Sequence, residues 1–134
     1  MKVVCDPNVL ISAVITSGVS AALFDRWLTD RPFDIVVCPA LIGELRAVLA
    51  RDRFRRWISV RESEIFVGRL EHEAERRADP TEVPAVTSDP KDDYLVALYR
   101  DCGADLLVSG DSDLLALDAE DVVVLTPGEL LARL

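Results

Sequence analysis

An α/β fold around a parallel sheet is what this sequence predicts, and three observations predict it. Short apolar, largely β-branched runs recur at Lys2–Cys5, Ile35–Cys38, Leu106–Val108 and Val122–Leu125. Segments with apolar residues at helical spacing separate them. The runs carry almost no polar alternation, which is the pattern of strands covered on both faces by helices.

Each element has its own signal. Lys2–Cys5 ends at Asp6, and Pro7 turns the chain toward a helix. Ser20 to Leu28 is helical, with apolar positions 21, 24, 27 and 28. Pro39 suits the first turn of the helix after the second strand, which runs to about Ala50 with Leu41, Ile42, Leu45, Val48 and Leu49 inward. Arg51 to Trp57 is a short basic connection. Arg61 to Ala78 reads as a helix with Ile65, Phe66, Leu70 and Ala74 on one face. Asp79 to Pro90 holds three prolines and reads as a loop. Lys91 to Cys102 is helical and stops at Gly103. After the third strand come a short helix at Asp113–Leu117, the last strand and a terminal helix from Pro127.

Length and composition fit a single domain over 1–134 with a real core, since half of the residues are hydrophobic. The apolar run Val9–Ile15 is too short to span a membrane and lacks a signal-peptide layout, so a cytoplasmic location is expected. Cys5, Cys38 and Cys102 are widely spaced, no CxxC pair occurs and His72 is the one histidine. A zinc site is not expected, and the cysteines read as small buried hydrophobes in a reducing compartment. The net charge of −9 argues against nonspecific, electrostatically driven binding of nucleic acid. Two features soften that: carboxylates that bind cations lose their charge, and nine of the thirteen arginines fall between Arg46 and Arg77.

Acidic residues stand at four separated points: Asp6, Glu44, Asp92/Asp93 and Asp111/Asp113. Open parallel sheets bind ligands beyond the carboxyl ends of their strands. Asp6 follows the first strand and Asp111 a later one, so neighbouring strands would bring both to one crevice. Glu44, in the second turn of its helix, reaches the same edge. In the run Ser88–Asp93, Asp89 suits the N-cap with Pro90 at N1, and Asp92 falls at N3, where an acid complements exposed amides. Asp93 is less needed as a cap and is taken as the ligand, with Asp92 as the alternative. Such carboxylates supply hard oxygen ligands for Mg2+ or Mn2+, and one or two ions are compatible with them. Arg51, Arg53, Arg55 and Arg56 are candidate RNA phosphate contacts. The plain alternative there is a solvated connection with Phe54 and Trp57 buried.

At this point the residues resemble the PIN-domain family, the fold of VapC-type toxins and related nucleases. The carriers are Asp6-Pro7-Asn8-Val9-Leu10, Glu44, the stretch Asp92 to Leu98, and the block Ala104 to Leu115 with its Ser109-Gly110-Asp111-Ser112-Asp113 core. The resemblance implies a three-layer α/β/α sandwich with strand order 3-2-1-4-5. It implies a Mg2+- or Mn2+-dependent endoribonuclease with Asp6, Glu44, Asp93 and Asp111 as metal-binding, catalytic acids and Asp113 as an additional metal ligand. Asn8 and Ser109 would orient the site by hydrogen bonds. It further implies the toxin of a toxin–antitoxin pair, a cognate antitoxin partner and a homodimer.

Two other readings compete. A haloacid-dehalogenase-like phosphatase would use Asp6 as nucleophile, but that chemistry resembles an Asp-x-Asp start and here Asn8 stands second. Lys2 and Lys91 are the only lysines, and neither follows a late strand. A non-enzymatic binding or scaffold module on the PIN fold is the other, and the complete acid set argues against it.

Overall fold

The computed structural model describes residues 1–134. Its strands are β1 (Lys2–Cys5), β2 (Asp34–Val37), β3 (Glu75–Arg76), β4 (Leu106–Val108) and β5 (Val124–Leu125). Its α-helices are α1 (Pro7–Ile15), α2 (Val19–Asp30), α3 (Pro39–Leu49), α4 (Val60–Glu73), α5 (Asp93–Cys102), α6 (Ser112–Leu115) and α7 (Pro127–Arg133). The strands form one parallel sheet in the order β3-β2-β1-β4-β5, flanked by helices. This is the predicted fold class and strand order.

β1 is central, with Val3 opposite Ile35 of β2 and Val4 opposite Leu107 of β4. Those four side chains are essentially excluded from solvent, except that Ile35 keeps a trace of exposure. Helices α4, α3, α1, α2 and α7 pack on one another in that sequence, while α5 lies against β1 and β4. One hydrophobic cluster joins them, with Trp27, Leu45, Leu98, Leu107 and Leu130 fully buried. No single helix is long and apolar enough to cross a membrane.

The strand-to-helix junctions aim the site. Pro7, Pro39 and Pro127 each open the helix that follows a strand, where a missing N–H costs nothing. Asp6 caps α1 by accepting from the Asn8 N–H, and Asp111 caps α6 by accepting from Asp113. Three of the four β–α turns that ring the carboxyl edge therefore begin with a fixed backbone direction.

Four expectations change. The helix read from Arg61 to Ala78 ends at Glu73, and Ala74 turns extended so that Glu75 and Arg76 pair with Val36 and Val37. Pairing with the open edge of β2 satisfies backbone groups that another helical turn would not place on the sheet. The buried stripe of α4 is also rotated: Ser63, Val67 and Leu70 face inward and Ile65 is 60% exposed. Ser63 tolerates burial because its hydroxyl donates to the Val60 carbonyl at 2.7 Å. At the other end of the chain, the short helix starts at Ser112 rather than Asp113, and β5 covers only the last two residues of the expected strand.

The three cysteines are free and buried, as small hydrophobes. Burial pushes the Cys5 thiol up to about 12 and the Cys38 thiol up to about 11.

Candidate active site

The adjacent strands β1 and β4 end side by side, and the site starts there. The Asp6 N–H donates to the Val108 carbonyl at 2.8 Å, which locks the chain beyond β1 to the end of β4. Asp6 is only 3% exposed. Its carboxylate accepts from the Ser109 hydroxyl at 2.8 Å and from the Asn8 N–H at 3.0 Å. Burial raises its pKa above the usual carboxylate range; the two hydrogen bonds oppose that, and the charge of Asp111 adds to it.

Ser109 is a buried bridge. Its hydroxyl donates to Asp6 and accepts from the Asp111 N–H at 2.9 Å. The same side chain thus orients one acid and the backbone that carries another. Asn8 supports Asp6 through its backbone N–H, while its side chain is exposed. Glu44 comes from α3 and accepts a hydrogen bond from the Tyr94 hydroxyl of α5 at 3.0 Å. Burial, then the charge and hydrogen bond of Glu44, raise the Tyr94 pKa, so its hydroxyl stays a donor.

The pair Asp92/Asp93 divides differently from the expectation. Asp93 is buried, and its Oδ1 accepts three hydrogen bonds: from the Val86 N–H at 3.2 Å, the Thr87 N–H at 2.9 Å and the Thr87 hydroxyl at 2.8 Å. Burial alone would raise its pKa, but these bonds outweigh burial and hold it below the usual range. Asp93 is occupied with tying the segment before α5 onto the start of that helix. Asp92 faces the other acids instead. Its pKa is raised to about 6, first by burial and then by the charges of Asp6, Asp111, Asp89 and Glu44. Its Oδ2 is buried and has no hydrogen-bond partner.

The reason lies in the local backbone. Pro90–Asp92 forms a 3-10 turn, capped by Asp89 through the Lys91 N–H at 3.0 Å, and α5 begins only at Asp93. A 3-10 turn rotates each residue further than an α-helix, so positions counted from Pro90 as α-helical are misdirected. Asp92 makes no capping bond. Asp113 is exposed and gives its N–H to Asp111 at 2.8 Å, so the cap of α6 is Asp111 and not Asp113.

The basic segment stands apart. Arg55 is turned inward: its guanidinium donates to the Leu49 carbonyl, and its Nε and Nη1 are buried. That corrects its expected role as a phosphate contact, because a guanidinium packed under the end of α3 is not presented to a ligand. Arg51, Arg53 and Arg56 are exposed, with Arg53 stacked 4.8 Å over Phe54 and Arg56 4.9 Å over Trp57. Phe54 is buried as expected, but Trp57 is half exposed. The segment follows the far end of α3, and Arg51 lies about 10 Å beyond Glu44 along the helix axis.

A PIN-domain family model matches residues 2–113. The chain belongs to the PIN-domain family. PIN domains are generally nucleases that use divalent metal ions. No curated protein matches the sequence. Among solved structures, PAE2754 from Pyrobaculum aerophilum is similar with a TM-score of 0.68 at 19% identity, over 99% of this chain and 88% of that one. VapBC2 from Rickettsia felis, bound to a DNA fragment from its promoter, is similar with a TM-score of 0.64 at 8% identity, over 94% of this chain and 98% of that one. At these identities the likeness is one of fold.

The donors of this PIN domain fit a hard divalent cation. All four acids offer oxygen, Asp92 carries an orphaned buried carboxylate oxygen, and its pKa is raised first by burial and then by the negative charge of its neighbours. No three of the acids close into a tight cage. A Mg2+ ion that keeps several of its waters touches only one or two carboxylates directly and needs no closed cage.

Residues missed from sequence were Thr87 and Tyr94. Thr87 sits in an irregular segment with no periodic signal. Tyr94 lies beside the acid pair, but its partner Glu44 is fifty positions away.

Proposed function

We propose that residues 1–134 form a single cytoplasmic nuclease domain, a Mg2+- or Mn2+-dependent endoribonuclease that serves as the toxin of a toxin–antitoxin pair. The observation that supports the nuclease reading best is Ser109 joining Asp6 to the backbone of Asp111 at the ends of β1 and β4, with Asp92 nearby, its pKa raised first by burial and then by the charges of Asp6, Asp111, Asp89 and Glu44. PIN-family membership supplies the chemistry class.

One or two of Asp6, Asp92 and Asp111 would touch the cation directly and the others would hold its waters, while Glu44 would take a ligand water or a second ion. The cation supplies Lewis-acid polarisation of the phosphate and a lowered pKa for an attacking water. Ser109 keeps Asp6 and the Asp111 backbone in register, so the ligands need little rearrangement when the substrate arrives. Tyr94 holds one oxygen of Glu44 and leaves the other free. In hydrolysis the water oxygen bonds to phosphorus while the bond from phosphorus to the leaving sugar oxygen breaks. The water's proton passes to a site carboxylate, and the leaving oxygen takes a proton from solvent.

The R. felis neighbour, a VapBC pair on promoter DNA, supports an antitoxin partner for this chain. Half-exposed Trp57 and more exposed Val60 and Ile65 support a covered surface, either with that partner or in a homodimer.

The test is incubation of the purified protein with a mixed-sequence RNA in Mg2+, Mn2+ or EDTA, beside Asp6→Asn and Asp92→Asn. Cleavage should require the metal and fall by about 100-fold or more in either variant. Equal cleavage in EDTA, or full activity of both variants, would refute the mechanism. Co-expression with the product of a neighbouring small reading frame tests the toxin role, and growth arrest that such a partner does not relieve counts against it.

A further inference from the structure

Asp111, one of the four acids, also borders a second opening. This open cleft of about 320 Å3 is lined by Asn8, Ser12, Ser20, Gly110, Asp111 and Pro127. That volume falls at the small end of ligand clefts, which span roughly 300–1,000 Å3. Asn8 and Ser12 stand one turn apart on α1 and so share a face. Asn8 is engaged through its backbone N–H and Ser12 through its carbonyl, which leaves the amide and the hydroxyl to the cavity. Ser20, in the first turn of α2, adds a second hydroxyl. At Gly110 an added Cβ would meet nothing within 4 Å, so the backbone between Ser109 and Asp111 lies open to this space.

The chemistry of the lining selects its occupant. No lysine or arginine lines the cavity, and the carboxylate of Asp111 does. A phosphate group would find no cation to pair with there. Uncharged hydroxyl and amide groups instead match sugar hydroxyls and the edges of bases, offering both donors and acceptors. The one charged group at the rim belongs to the acids that would handle the phosphodiester.

We propose that this cleft is the subsite for one ribonucleoside of the substrate, seated beside the scissile phosphate with its ribose hydroxyls and base edge hydrogen-bonded by Asn8, Ser12 and Ser20. The inference rests on the RNA-nuclease reading above and adds to it where the sugar and base sit. The 2′-hydroxyl is the group that tells RNA from DNA at such a place.

Two-dimensional NMR of the full chain, titrated with adenosine, guanosine, cytidine and uridine and with their 2′-deoxy counterparts, tests it. These probes carry no phosphodiester, so nothing is cleaved during the measurement. At least one ribonucleoside should give saturable shifts at the Gly110 N–H and the Asn8 side-chain amide. Its deoxy counterpart should bind about fivefold more weakly, the worth of one hydrogen bond. Ser20→Leu and, independently, Ser12→Leu each replace a lining hydroxyl with a bulkier apolar side chain and should abolish those shifts, while Mn2+ affinity stays within about twofold of the parent and shows that the acid site is intact. Saturation at a different surface, an equal response to the deoxynucleosides, or no saturable response overturns the proposal. The RNA cleavage assay separates the two failures. Metal-dependent cleavage without nucleoside binding at the cleft removes the subsite alone. Nucleoside binding at the cleft without any cleavage removes the nuclease reading, and with it the substrate role of the cleft, and leaves a ribonucleoside-binding site.

Discussion

Asp92 offers the sharpest test of the site, because its ionisation should control metal binding. Its carboxyl titrates at about 6, so it is about nine-tenths ionised at pH 7 and about one-tenth at pH 5. A hard cation binds the ionised form, and binding competes with the proton. Metal affinity should therefore fall by about tenfold between pH 7 and pH 5 from Asp92 alone, and by more once the raised Asp6 contributes. Isothermal titration with Mn2+ at pH 5, 6 and 7 measures this directly. Asp92→Asn should bind more weakly at pH 7 and show a flatter profile across the same window. Without metal the linkage has the opposite sign. The folded-state pKa lies above the ordinary value, so the native state binds the extra proton between about pH 4 and pH 6. Metal-free protein should lose stability as pH rises through that window, and Asp92→Asn should be the more stable protein at pH 7. Mn2+ should then stabilise the parent more than the variant. Equal metal affinity at pH 5 and pH 7 would refute the reasoning. An unchanged pH profile in Asp92→Asn would transfer the linkage away from this residue.

Asp93→Ala should destabilise the fold by about 3 kcal/mol, since it strips the shared acceptor from two N–H groups and a hydroxyl; chemical denaturation reads it, and an unchanged midpoint would be contrary. Because the Asp93 pKa is lowered, its contribution should be complete above the ordinary carboxylate range and fade as pH falls through the folded value. Ser109→Ala should remove about 1–3 kcal/mol and raise the Asp6 pKa further, which lowers Mn2+ affinity at pH 6 more than at pH 8. Tyr94→Phe should leave the melting temperature nearly unchanged while reducing turnover several-fold, and Glu44→Gln in the same background should add little, as expected for two residues acting together.

How much was legible follows from the range of each interaction. The four apolar strands and most of the helices were readable because burial writes a local pattern into the chain. The Asp6-Pro7 pair after β1 and the Ser109-Gly110-Asp111 turn after β4 were equally local, and they placed Asp6 and Asp111. β3 left no such pattern. It is two charged residues whose pairing depends on the edge of β2, far back in the chain. The inward face of α4 was misread because Ile65 is apolar yet unpartnered, and only packing against α3 reveals that. Arg55 looked like surface charge until the end of α3 supplied a carbonyl for it.

The amino-acid sequence by itself determined the α/β class, the family and the four places from which acids are drawn, because strand burial, helix starts and capping act over a few residues. Only the tertiary structure separated the two acids of the adjacent pair, tying up Asp93 and leaving Asp92 among the other acids. That separation depends on a segment at 86–87 folding back to claim Asp93 and on charges from three other elements pressing on Asp92. Long-range electrostatics and returning backbone have no spacing in the sequence by which they can be read.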